Sequence, residues 1–181
     1  MTSRRCSACP ARNKGRRLLL PLLPGLALLL LLLPPSLPAQ SSFGGSGHVT
    51  LETPAPLRIK AGEKAPLALR FRLLAGHHTN SNKPSDEFLI PLKLTWDAAS
   101  VKPLEVAGID YPPGKLETYS FSEKPLSVYS GEFAVTTRVK APAEAAKGQH
   151  KLSGKLRYQA CNDTMCFPPR TLAVEATAII H

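Results

Sequence analysis

Cys161 and Cys166 are the residues whose type and spacing could carry chemistry. They lie in the segment Tyr158-Gln159-Ala160-Cys161-Asn162-Asp163-Thr164-Met165-Cys166-Phe167-Pro168-Pro169, with four polar or flexible residues between them. Two thiols this close can form a disulfide, exchange it with the thiols of another protein, or hold a soft metal ion. One alternating apolar stretch ends at Tyr158 and another begins near Arg170. If these pair as a hairpin, the cysteines flank its loop as facing residues with Cα atoms about 4.5 to 5.5 Å apart, within reach of a disulfide.

As a staple such a bond is poorly placed. Closing so short a loop removes on the order of 2 kcal/mol of unfolded-state entropy, and the turn already holds the two strands together. A pair at a hairpin tip is instead open to in-line attack by a partner thiolate. Redox exchange is therefore the favoured reading, with an inert structural disulfide and a metal site as the alternatives.

The surrounding residues add candidates of lesser weight. His77 and His78 could join the cysteines at copper or zinc, but without regular Cys/His ligand spacing a solvated loop is the simpler expectation. Asp163 could tune the thiols by raising their pKa values through its negative charge; equally, Asn162-Asp163 could simply supply turn chemistry, and the sequence leaves both open. Trp96 and Tyr158 fall on strand patterns and are expected in the core. No Ser/His/Asp order, glycine-rich phosphate loop or paired-carboxylate motif supports a hydrolase or a nucleotide-binding protein, and no cofactor is expected.

The elements that must position the pair are β-strands. Apolar residues alternate at Leu67, Leu69, Phe71 and Leu73, at Leu92, Leu94 and Trp96, at Phe133, Val135 and Val139, and at Leu152, Leu156 and Tyr158. Shorter candidates are 49–51, 57–59, 101–106, 126–129 and 172–178. Turn-formers separate them, including Ala75-Gly76, Pro112-Pro113-Gly114, Ser130-Gly131 and Lys147-Gly148. Only 141–146 reads as briefly helical. Seven to nine short strands without a long helical period predict an all-β, immunoglobulin-like sandwich.

Arg4, Arg5, Arg12, Lys14, Arg16 and Arg17 precede the apolar block Leu18 to Leu33, and small Ala39 offers a cleavage point. Residues 1–39 are therefore expected to be a signal peptide, with an uncleaved membrane anchor as the alternative. Residues 40–48 are expected to be a flexible segment and 49–181 the domain. The expected signal carries 6 of the 23 Lys and Arg and none of the 13 Asp and Glu, leaving 17 against 13, a net +4. That charge gives no footprint for nucleic acid. Cys6 and Cys9 leave with the signal, so Cys161 and Cys166 remain as an even pair in an oxidising, extracytoplasmic compartment.

The cysteine segment, with its Tyr158-Gln159-Ala160-Cys161, Cys166 and Phe167-Pro168-Pro169, resembles the active-site hairpin of the N-terminal periplasmic domain of the bacterial transmembrane reductase DsbD. The likeness continues through His78 to Pro84, Ile90 to Trp96, Tyr111-Pro112, Lys124-Pro125-Leu126 and Val128 to Gly131, and spans roughly Val49 to Ile179. It implies a carrier reduced by a thioredoxin-like protein and reducing oxidised proteins in turn. It further implies that Cys166 forms the mixed disulfide and Cys161 resolves it. The chain has four residues between its cysteines where the enterobacterial version has five. The transmembrane electron transporter and the thioredoxin-like partner are expected to be separate proteins. For the family's aromatic cap over the disulfide, Tyr119 and Phe121 are the candidates.

Overall fold

The computed structural model describes residues 47–181. The expected signal, Cys6, Cys9 and most of the 40–48 segment lie outside the described residues. The strands are β1 (Val49–Leu51), β2 (Leu57–Ile59), β3 (Lys64–Leu73), β4 (His78–Asn80) and β5 (Lys93–Trp96), followed by one short helix, α1 (Ala98–Val101). Then come β6 (Glu105–Asp110), β7 (Lys115–Glu117), β8 (Leu126–Ser130), β9 (Glu132–Lys140), β10 (Gly148–Tyr158), β11 (Ala160–Cys161) and β12 (Arg170–Ile180).

Period-two burial builds the two large sheets. In β3 the side chains of Leu67, Leu69, Phe71 and Leu73 are buried while Ala68, Arg70 and Arg72 face solvent, and in β12 Val174, Ala176, Ala178 and Ile180 are buried. One sheet runs β1-β3-β9-β6 and the other β2-β12-β10-β5. Their inward residues form one apolar cluster, including Phe71, Val135, Leu156 and Val174, as expected of an immunoglobulin-like sandwich. Trp96 Nε1 donates to the buried Thr137 Oγ1 at 2.9 Å, linking β5 of one sheet to β9 of the other. The aromatic ring is half-buried against the core, where the alternation placed it.

A third sheet, β11-β4-β8-β7, carries the cysteine segment. It is tied to the first by two short connections. Gly131 alone separates β8 from β9, and its φ of +61° is a left-handed conformation that glycine adopts without a Cβ penalty. The Ala75-Gly76 turn, with Gly76 at +72°, leads from β3 into β4.

The fold class is all-β as the alternation predicts, but the strands number twelve among the described residues rather than seven to nine. The additional ones, β4, β7 and β11, have two or three residues each, too few to show a period. The helical reading of 141–146 is corrected. That stretch is a turn closed by Ala145 N donating to Pro142 O, since the four residues that follow the proline cannot nucleate a helix without tertiary help. The short helix falls instead at Ala98–Val101, where Asp97 Oδ1 accepts from Ala99 N at 2.9 Å as an N-cap. The strand expected over 101–106 consequently starts later, at Glu105.

Candidate redox site

Strands β10 and β12 pair antiparallel from Gly148↔Ile180 to Tyr158↔Arg170, so the expected hairpin is present and residues 159–169 leave from its tip. Within that excursion the chain folds back on itself. Phe167 N donates to Ala160 O at 2.8 Å, and Asn162 N donates to Met165 O at 2.9 Å. These bonds bracket Cys161↔Cys166, which face each other as an antiparallel bridge. Facing residues between two such bonds form the closer, non-hydrogen-bonded kind of pair. Their Cα atoms are 3.9 Å apart, nearer than the spacing read from the sequence, and a disulfide joins them.

Asn162 holds the tip. Its Oδ1 accepts from Thr164 N, Met165 N and Thr164 Oγ1 at 2.9 to 3.0 Å, an Asx turn. Turn chemistry therefore comes from Asn162. Asp163 is exposed; its main-chain carbonyl accepts from Ser120 Oγ at 3.0 Å, while its charge acts on His78 and Tyr119.

The two sulfur-bearing residues differ in exposure. Cys161 is 1 % exposed, whereas Cys166 is half-buried. The sequence placed both at an open tip; burial of Cys161 corrects that. The cause is β11, which pairs antiparallel with β4 so that Cys161 faces His78 and Ala160 faces Thr79. Strand β4 in turn pairs with β8, His78 facing Ser130. Directly opposed residues project from the same face of a sheet. Cys166, Cys161 and His78 thus form one lateral row.

His78 is the second correction. It does not lie in a solvated loop but is 3 % exposed in β4, and its Nε2 has no hydrogen-bond partner among the described residues. Burial holds its imidazole below the usual histidine value, against the opposing pull of Glu117 and Asp163, with His77 adding to the lowering. The Tyr119 ring stacks on it at 3.9 Å between centroids and Phe121 follows at 5.4 Å from Tyr119, so both cap candidates lie on the His78 end of the row. Tyr119 Oη donates to Glu117 Oε2 at 2.5 Å; burial first, then this bond and nearby negative charge, push the phenol up. A crevice of about 280 Å³ lined by His77, His78, Glu117, Tyr119 and Asp163 opens beside the row. A larger one of about 520 Å³, lined by Ser81, Lys83, Asp110 and Tyr111 among others, contains neither cysteine nor histidine.

A second aromatic cluster anchors the other side of the hairpin. His48 stacks on Phe167 at 4.4 Å and on His77 at 4.6 Å. Burial, then His77 and Arg170, lower the His48 pKa. Sequence reasoning missed His48 altogether, and its position directly before β1 offered no signal. Among the described residues no group of three or more His, Cys, Asp or Glu is arranged to hold a metal ion.

These two histidines give the domain an acid-side weakness. For a histidine whose folded pKa is depressed, the full stabilisation is present above the unfolded value of 6.5 and is lost as pH falls through the lowered folded value, because the unfolded chain then binds protons that the folded chain refuses. Urea midpoints of wild type are expected to fall between pH 7.5 and pH 5. The fall should be smaller in a His48→Phe/His78→Phe double variant, which keeps both ring stacks; equal falls in the two proteins would contradict this.

Among solved structures, the chain is similar to the reduced N-terminal domain of DsbD from Neisseria meningitidis, at 21% identity and TM-score 0.42, over 66% of this chain and 82% of that one. It is also similar to the N-terminal periplasmic domain of ScsB from Proteus mirabilis, at 14% identity and TM-score 0.45, over 71% and 44%. A type I cohesin from Pseudobacteroides cellulosolvens follows at 13% identity and TM-score 0.42, over 74% and 92%. No curated protein sequence matches. The family model for the N-terminal domain of the thiol:disulfide interchange protein DsbD matches residues 49–178, and the chain belongs to that family of thiol–disulfide exchange domains.

Proposed function

We propose that the domain is an extracytoplasmic carrier that passes reducing equivalents through Cys161 and Cys166. A thioredoxin-like protein, or a transmembrane electron transporter acting through one, supplies two electrons, and oxidised proteins receive them. The observation that carries the reading is the unequal exposure of the joined cysteines. The half-buried Cys166 is the sulfur a partner thiolate can approach in line, and the enclosed Cys161 is the leaving group. In the opposite direction Cys161 attacks the mixed disulfide at Cys166 and releases the partner. Tyr119 and Phe121 cover the row until a partner docks, and Asp163 places negative charge beside the loop. The basic and apolar start of the sequence supports export.

Equilibration of the purified domain against dithiol buffers tests the reading. The expected potential lies well above the roughly −300 mV below which structural disulfides resist reduction. The reduced domain is expected to keep its β-sheet circular dichroism, since the disulfide closes only a short loop on an existing hairpin. A bond that resists physiological dithiols would make the chain a binding or structural β-sandwich with an inert disulfide.

A further inference from the structure

When the disulfide opens, two thiol sulfurs replace it, and one of them belongs to a residue that is 1 % exposed. A thiolate formed there cannot be solvated by bulk water, so a thiol there ionises near neutral pH only with a base at hand. His78 is the titratable group placed for this. It is the direct cross-strand partner of Cys161 on the face that carries the sulfur, and it is itself enclosed. Its Nε2 is buried with no hydrogen-bond partner among the described residues while the disulfide is intact, a costly arrangement unless the atom is used in another state.

Resting on the exchange reading, we infer that His78 is the proton acceptor and donor for Cys161. As Cys161 resolves a mixed disulfide, its thiol proton passes to the imidazole, its sulfur bonds to Cys166 Sγ, the Cys166–partner bond breaks, and the partner leaves as a thiolate with that electron pair. In reverse, a partner thiolate attacks Cys166, the electron pair of the broken bond goes to Cys161 Sγ, and the imidazole, having first taken up a proton from solvent, passes it to that sulfur. The surroundings suit a base that is neutral at rest. Burial disfavours the imidazolium, and the carboxylates of Glu117 from β7 and Asp163 from the cysteine loop lie near enough to stabilise it transiently. His77 opposes the charge, and Tyr119 covers the ring while holding its own proton against Glu117. The crevice shared by His78, Glu117 and Asp163 gives the proton a route to solvent.

The test mixes reduced protein with one equivalent of 5,5′-dithiobis(2-nitrobenzoate) in a stopped-flow instrument. The first release of nitrothiobenzoate reports capture at Cys166; the second, independent of reagent concentration, reports resolution by Cys161. In wild type the second rate should reach its plateau below the ordinary imidazole pKa. In His78→Gln it should be roughly a hundredfold slower at neutral pH and climb with pH until it meets wild type where the thiol ionises unaided. Slowing by the same factor at every pH would mark a structural role and overturn the inference, as would an unchanged profile. Should His78→Gln not fold, nitrogen NMR of wild type decides: the His78 Nε2 resonance must shift on reduction with dithiothreitol, and an unmoved resonance overturns the proposal. Capture on Cys161 instead of Cys166, read by peptide mapping, would sink the exchange reading together with the inference. A normal second phase with the wrong pH profile would sink the inference alone.

Discussion

Cys161→Ser is expected to hold a thioredoxin-like protein in a stable mixed disulfide through Cys166, and Cys166→Ser to hold far less. The difference follows from position. Cys166 is half-buried, whereas Cys161 is enclosed between the bridge to Cys166 and its pairing with β4. With Cys161 present, a captured partner is released by an attack that is intramolecular, and oriented neighbouring groups reach effective molarities on the order of 10⁵ M or more. Removing that thiol therefore lengthens the life of the mixed disulfide by orders of magnitude. In Cys166→Ser the remaining sulfur is shut away, and capture should be weak even though no resolving thiol remains. Non-reducing gel electrophoresis reads the yield after each variant, activated with 5,5′-dithiobis(2-nitrobenzoate), is mixed with a thioredoxin-like protein that keeps only its attacking cysteine. Equal capture by both variants would remove the assigned roles, and capture by neither would count against a carrier.

Tyr119→Ala is expected to speed reduction of the disulfide by a small phosphine about tenfold, equivalent to ~1.4 kcal/mol of lost protection. The Tyr119 ring lies 3.9 Å from that of His78, the cross-strand neighbour of Cys161, and Ser120 Oγ bonds to the carbonyl of Asp163 inside the cysteine loop. The segment is thus held both to His78 and to the cysteine loop. Phe121→Ala should have the smaller effect, because that ring is 39 % exposed and 6.3 Å from His78. Tyr119→Phe keeps the ring but loses the bond to Glu117, and it separates cover from hydrogen bonding by remaining close to wild type. A Tyr119→Ala rate equal to wild type would show that the ring does not shield the sulfurs.

The sandwich and the place of the cysteine pair were both legible in the order of the residues. Strands β3, β9, β10 and β12 have nine to eleven residues each, long enough for alternation to show, and one face of each packs on a single core. A period of two is the direct imprint of such one-sided burial. The cysteines were legible for a related reason: their spacing fits the tip of a hairpin that the flanking alternation already implied.

The difference between the two cysteines was not legible there, because it comes from packing between short strands. The sheet that makes them unequal consists of β11, β4, β8 and β7, strands of two to five residues, and β4 reads His78-Thr79-Asn80 with all three residues buried. A buried polar strand of that length has no apolar rhythm, so its residues resemble a solvated loop until their cross-strand partners are known. His78 becomes a neighbour of Cys161 across 82 intervening residues, and Tyr119 comes to stack on His78 through a contact with no counterpart in local pattern. Periodicity records which face of a long strand meets the core. It cannot record which short strands meet each other, because that pairing is set by the large sheets on which they are carried.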